Sequence, residues 1–196
     1  MKLTTRYAGG SDFSLPNVER VKSINVIGDK MSFFKNNKGK FMTVTYKDMH
    51  EKMLSIQNEI QKRDNFLRKI AQKLVKAYED SLQLESHHWT DIEGRDRPYV
   101  LIGDIEEGDF TKKHINDIEV NGNTMKLVIA TVVDDTPRGG DTAGCEVEIS
   151  TDKYAEEINI KFQTKKGQQA VVIRGDDWRE ARDILKDATY SRIILI

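Results

Sequence analysis

A long stretch without glycine or proline constrains this chain more than any other feature of its sequence. No Gly or Pro occurs from Asp48 to Ser86, and Asp48 with Glu51 has the spacing of a capping box. Its apolar residues recur in alternating steps of three and four, with Arg63 as the polar interruption. They are Met53, Ile56, Ile60, Leu67, Ile70, Leu74 and Ala77. This period predicts one helix of roughly ten turns.

An apolar seam of this length needs a cover. A helix over 48–84 would be ~55 Å long, which exceeds the diameter expected for a compact domain of this size. The seam therefore lies either across the protein's own sheet or against a second copy in a coiled-coil-like dimer. We expect a homodimer through the helix 48–84, with packing inside one chain as the open alternative.

The rest of the chain favours β-strands, which predicts an α+β fold with antiparallel sheets. We expect a flexible arm at 1–17, a β-meander plus the long helix at 18–86, a polar connector at 87–98, and a β-rich unit at 99–196. The meander is predicted from three short apolar runs separated by Gly28-Asp29 and by Asn36-Asn37-Lys38-Gly39. The fold would then hold an N-terminal meander, a larger C-terminal sheet, one very long helix and a short C-terminal helix.

Alternating Val and Ile between turn residues predict the strands of the larger sheet. The expected strands are Tyr99–Ile105, Ile115–Val120, Thr124–Val133, Cys145–Ser150, Glu157–Gln163 and Ala170–Arg174. The Gly-rich stretch DDTPRGGDTAG between Val133 and Cys145 predicts an exposed loop. A second helix is expected from Asp177 to near Ala188, opened by Asp177 with Glu180. The apolar end Ile193–Ile196 predicts a final strand.

Composition limits the classes of function. The chain has 31 Lys and Arg against 32 Asp and Glu, and a net charge of −1 argues against binding nucleic acid through bulk charge. Cys145 is the only cysteine, so neither an internal disulfide nor a thiolate zinc cage is available. No apolar stretch reaches the ~20 residues of a membrane span, so we expect a cytoplasmic protein without membrane contact.

Nothing in the sequence has the spacing of a catalytic or cofactor motif, and we expect a non-enzymatic protein without a cofactor. His87 and His88, with Asp91 and Glu93, lack metal-ligand spacing and are typical of a solvated connector. Carboxylates do gather around the Gly-rich loop, where a metal-dependent nuclease is the alternative. Glu146 and Glu148, however, alternate with Val147 and Ile149, which is the pattern of a strand with one face in solvent.

Two stretches of the chain share one plan. SFFKNNKGKFMTVTYKDMHEKML and NIKFQTKKGQQAVVIRGDDWREARDIL each read as strand, Lys/Gly turn, strand and helix. The turn glycines are Gly39 and Gly167. After each helix start, Met49, Met53 and Ile56 correspond to Trp178, Ala181 and Leu185 as one helical face. Chance recurrence of a common motif is the favoured interpretation, and a duplicated unit is the alternative.

This β-β-α layout resembles two families of single-strand nucleic-acid binders, the purine-rich-element-binding repeats and the Whirly-like coactivators. The resemblance covers residues 32–57 and 159–185. It implies a curved sheet on which bases stack on aromatic rings between basic side chains. The residues of this chain at the implied positions are Phe34, Lys35, Lys38, Lys40, Lys161, Lys165, Lys166 and Arg174.

The resemblance therefore implies single-stranded nucleic acid as the partner. The alternative is a protein-binding or assembly role, such as that of a phage or mobile-element accessory factor, an immunity protein or a chaperone. The long helix, the balanced charge and the acidic loop favour this alternative, whereas the KGK and KKG turns favour nucleic acid.

Overall fold

The computed structural model describes residues 44–152 and 157–193. Within them lies one long helix, α1 (Tyr46–Ser81), followed by nine strands and a second helix, α2 (Arg179–Ile193). The predicted α+β class is confirmed. The arm, the N-terminal meander and Phe34, Lys35, Lys38 and Lys40 lie outside the described residues.

The helix α1 begins two residues before its predicted start. Thr45 is its N-cap: its hydroxyl accepts from the backbone N of Asp48 at 3.3 Å, and its backbone N donates to Asp48 Oδ2 at 2.7 Å. Asp48 is thus the third residue of the helix and closes a capping box with Thr45. The predicted capping box of Asp48 with Glu51 is wrong. The C-terminal end lies at Ser81, three residues before the predicted end at residue 84. Absence of helix breakers permits a helix there but does not require one.

The nine strands form two antiparallel sheets. The strands β1 (His88–Thr90) and β2 (Asp96–Pro98) form a small hairpin. The larger, seven-stranded sheet contains β3 (Val100–Glu106), β4 (Asp109–Lys112), β5 (Val120–Asn121), β6 (Thr124–Val132), β7 (Thr142–Thr151), β8 (Glu157–Thr164) and β9 (Gly167–Arg174). Its order is β4-β3-β6-β7-β8-β9, and β5 pairs with β6 beside β3.

Local predictions for this part of the chain need four corrections. The connector 87–98 contains the β1–β2 hairpin, closed by Asp91, which accepts from the backbone N of Arg95 at 2.9 Å and from Arg97 Nε at 2.9 Å. The predicted strand Ile115–Val120 is a 3-10 turn at Ile115–Asp117 followed by the short β5. The strand β4 was not predicted, because Asp109–Lys112 has only one apolar residue. The strand β7 begins at Thr142, inside the predicted loop.

The second helix is shifted towards the C-terminus. Asp177 lies before it and accepts from the backbone N of Arg179 at 3.2 Å, so the helix starts two residues later than predicted. It then continues to Ile193, which was predicted to begin a strand. Residues 194–196 lie outside the described residues.

One core joins both helices to one face of the larger sheet. Leu67, Leu74 and Tyr78 of α1 are at most 1% exposed. They pack with the inward-facing side chains of β6, β7 and β8, which include Ile129, Val147 and Ile160. The hydroxyls of Tyr78 and Thr131 lie 2.7 Å apart, which satisfies both polar groups at the edge of the core. The described residues from Thr45 to Ile193 therefore belong to one compact unit.

Candidate functional surface

The apolar repeat of α1 divides at Arg63. On the C-terminal side, Leu67, Ile70 and Leu74 are 0–5% exposed. On the N-terminal side, the same repeat continues through Met49, Met53, Ile56 and Ile60, which are 57%, 48%, 46% and 42% exposed. We call these four residues the exposed stripe. The stripe and the buried residues lie on one face of one helix, because their spacing never departs from steps of three and four.

A groove lies where α1 passes the end of the sheet. Ile56, Ile60 and Phe66 line its helix side, and Asn123 and Thr151 line its sheet side. Its volume is about 720 Å³. The sheet ends at this point, so the helix N-terminal to Arg63 extends past it.

Arg63 marks the boundary between the two parts of α1. Its Nη1 donates to Asn123 Oδ1 at 3.4 Å and its Nη2 lies 3.4 Å from Asp64 Oδ1. Among the described residues, its Nε is buried and has no hydrogen-bond partner. A buried donor without an acceptor costs free energy.

The second surface is the outer face of the sheet, where the resemblance placed a nucleic-acid site. Lys161 lies on this face, but its Nζ is 2.7 Å from Glu148 Oε1. Lys126 also contacts Glu148, at 3.5 Å, from the strand on the other side. The hydrogen bond from Lys161 is the main reason that the pKa of Glu148 is lowered. Arg174 is paired in the same way, with its Nε 2.9 Å from Glu157 Oε1.

The two glutamates were not recognised from the sequence as partners of these cations. Glu148 stands opposite Lys161, and Glu157 stands opposite Arg174, only in the register that β8 adopts with its neighbours. Alternation shows which residues share a face, but not which residues on adjacent strands face each other. This face is consequently a ladder of alternating charges rather than a basic surface.

Lys165 and Lys166 are placed differently from Lys161 and Arg174. Both are exposed in the turn between β8 and β9, where Gly167 has a φ of +111° as the predicted tight turn requires. The Thr164 hydroxyl donates to the carbonyl of Gly167 at 2.6 Å and accepts from the backbone N of Lys166 at 3.2 Å. The turn therefore holds two cations together at one end of the sheet.

The aromatic residue beside Lys161 does not contribute to that face. Phe162 is 0% exposed and belongs to the core. Phe162 therefore offers no ring for stacking on this face.

Other chemistry is sparse in the part of the chain that the structure describes. No group of three or more His, Cys, Asp or Glu there is arranged to hold a metal ion. Burial raises the pKa of the Cys145 thiol to about 11, so this thiol stays protonated at neutral pH. Neither of the two described helices combines the length and the apolarity needed to cross a membrane.

Comparison with known proteins adds no assignment. No protein-family model, no curated protein and no solved structure matches the chain. The function must therefore be inferred from the surfaces themselves.

Proposed function

We propose that this protein is a non-catalytic assembly factor, and that the exposed stripe of α1 binds a second copy of the chain. One observation carries the proposal: the apolar repeat that builds the core through Leu67, Ile70 and Leu74 continues beyond the sheet with about half of each side chain in water. Contiguous exposed apolar surface on a regular element is typical of an interaction site.

A rigid helix is well suited to this role. Burying apolar surface stabilises a complex by roughly 25 cal/mol per Å². Because α1 is already helical and is anchored in the core at one end, little backbone entropy is lost when the stripe is covered. The stripe also has the period of a coiled-coil seam, which favours another helix as its cover. A second copy supplies a helix with the same period.

Sedimentation of the full chain tests this proposal. We expect the wild type to shift from monomer to dimer as its concentration rises to about 100 μM, a range that detects weak association. Ile56→Glu should stay monomeric with the thermal midpoint of the wild-type monomer, because Ile56 lies outside the core. The matched control is Asn58→Glu, which adds the same charge on the opposite side of the helix and should still dimerise. A wild-type monomer at every concentration would contradict the proposal.

Single-stranded nucleic acid is the second candidate partner, and the β8–β9 turn favours it. Lys165 and Lys166 are adjacent and exposed in a hydrogen-bonded turn, which suits them to contact phosphates. In this proposal they act with Phe34, Lys35, Lys38 and Lys40. Lys161 and Arg174 would first have to break their ion pairs with Glu148 and Glu157, so we expect them to contribute less to the affinity for nucleic acid.

The salt dependence of binding tests this second candidate. Each neutralised phosphate releases counterions, so affinity for single strands should fall steeply with salt, and the Lys165→Ala, Lys166→Ala double variant should reduce that slope. Phe34→Ala should lower the affinity and leave the slope nearly unchanged, because stacking releases no ions. No binding of mixed-sequence DNA or RNA at about 100 μM protein and low salt would reject nucleic acid as a partner.

A further inference from the structure

The order of residues along α1 also determines how two copies would pair. In a heptad repeat, Tyr46, Met53 and Ile60 occupy the first position, and Met49, Ile56 and Arg63 occupy the fourth. These two positions form the seam of a coiled coil, and the positions on either side of them carry the flanking charges. The direction of pairing decides which of these residues meet.

A parallel pair brings like charges together. Fourth positions then face each other across the seam, so Arg63 would meet Arg63 of the second copy beside the buried core. Glu59 would flank Asp64 of the second copy, which places two carboxylates side by side. Both contacts are unfavourable.

An antiparallel pair removes both conflicts. We propose, on the basis of the self-association argued above, that two α1 helices pair antiparallel over residues 46–63, with Met53 opposite Ile56 and Met49 opposite Ile60 of the second copy. In this register Lys52 of each copy flanks Glu59 of the other. Gln57 and His50 flank the seam on its other side.

The ends of this register coincide with the end of the sheet. The next pair along the seam, after Met49 opposite Ile60, is Tyr46 of the second copy opposite Arg63. Arg63 already contacts Asn123 at the end of the sheet. The second copy thus packs against α1 as far as Arg63. Beyond Arg63, α1 packs against the sheet of its own chain. Tyr46 is 78% exposed, and its ring and hydroxyl give the Arg63 guanidinium a face to stack on and an acceptor.

The same register also places Phe66, which is 44% exposed, beside the start of the second copy's helix.

The overlap of the two helices is ~26 Å long, which corresponds to five turns of each helix. Two copies related by a two-fold axis make every contact twice.

Disulfide trapping distinguishes the two directions. Two single-cysteine variants of the full chain, Met49→Cys and Ile60→Cys, are mixed after one has been given a tag of distinct mass, and the mixture is oxidised gently. Native Cys145 can be kept, since it is 0% exposed. The antiparallel register predicts the mixed cross-link, whereas each variant alone stays uncross-linked, because its two thiols are ~16 Å apart along the helix axis. Mixing Asn58→Cys with Met49→Cys is the control and should give no cross-link.

Each outcome bears on one proposal or on both. If each variant cross-links with itself and the mixture gives no cross-link between Met49→Cys and Ile60→Cys, the pairing is parallel. This result would overturn the proposed register. A dimer by sedimentation that gives no cross-link in any mixture would place the interface elsewhere and overturn it as well. A monomer by sedimentation before oxidation would contradict self-association itself.

Discussion

The two halves of α1 carry the same apolar repeat and meet different surroundings. From Leu67 to Tyr78 the repeat faces the sheet and α2, and its side chains are almost fully excluded from water. From Met49 to Ile60 it faces a groove beyond the end of the sheet, and its side chains are about half exposed. The difference arises from the length of the sheet rather than from the helix.

The comparison shows what an apolar repeat can and cannot specify. A seam of steps of three and four requires a cover, because exposed apolar surface is unfavourable in water. It does not state whether the cover belongs to the same chain. The structure restricts where the expected dimer through the helix 48–84 could form, because the seam over residues 67–78 packs in the chain's own core.

The second helix makes the same contrast. Trp178, Ala181 and Leu185 correspond in the shared plan to Met49, Met53 and Ile56. The first three are 8%, 0% and 0% exposed, whereas the second three are 57%, 48% and 46% exposed. Two helix starts of similar pattern thus differ because the start of α2 lies above the sheet, whereas the start of α1 lies beyond its end.

The largest expected effect comes from the same substitution made in each half. Ile70→Asp places a carboxylate at a site that is 5% exposed, and an unpaired buried charge of this kind should prevent folding or lower the thermal midpoint by far more than any change on the stripe. Ile60→Asp should keep the wild-type midpoint of the monomer and lose the dimer. Circular dichroism melts and sedimentation of both variants check this. An equal loss of stability in Ile70→Asp and Ile60→Asp would show that the two halves of α1 contribute equally to folding, which contradicts the comparison.

The sequence predicted most of this fold because its strongest signals are local. The long helix, and most strands of the larger sheet, follow from period and from turn residues such as Gly167. The start of α1 was missed because Thr45 ends a run of β-favouring residues, and Asp48 with Glu51 has the same three-residue spacing as Thr45 with Asp48. The pairing of Glu148 with Lys161 and of Glu157 with Arg174 depends on strand register. The point along α1 at which the apolar repeat becomes exposed depends on where the sheet ends. Neither is encoded in a local pattern.

A smaller effect is expected where α2 is tied to the covered half of α1. Lys73 Nζ lies 2.8 Å from Asp176 Oδ1, and the hydrogen bond from Lys73 is the main cause of the lowered pKa of Asp176. A carboxylate with a depressed folded-state pKa stabilises the fold above its unfolded-state pKa, and this contribution is lost as the pH falls through the folded-state value. Asp176→Asn should therefore lower the thermal midpoint slightly at pH 7.

The pH series gives this variant its control. The difference in midpoint between wild type and Asp176→Asn should shrink below about pH 4, where the carboxyl of the unfolded wild type is protonated. Asp48, whose pKa is lowered mainly by the hydrogen bond from the Thr45 backbone, lies at the uncovered end. Asp48→Asn should leave the global midpoint unchanged at both pH values. A gap that persists undiminished at low pH would show that the Lys73–Asp176 pair contributes nothing.

The smallest expected effect is local to the exposed half. Removing the cap with Thr45→Ala should cost about 1 kcal/mol of helix stability in the first turns. Since these turns lie outside the core, amide exchange should quicken over residues 46–50 while residues 67–78 exchange as in wild type. A matching loss of protection over 67–78 would mean that α1 unfolds as one unit and that its halves are coupled.

Amide exchange as a function of protein concentration tests the central claim most directly. If a second copy covers the exposed stripe, protection of residues 46–63 should rise as the protein is concentrated from about 1 to 100 μM, and protection of residues 67–78 should stay constant. Ile56→Glu should abolish the rise and Asn58→Glu should preserve it. Protection of residues 46–63 that is the same at every concentration in the wild type would contradict the account.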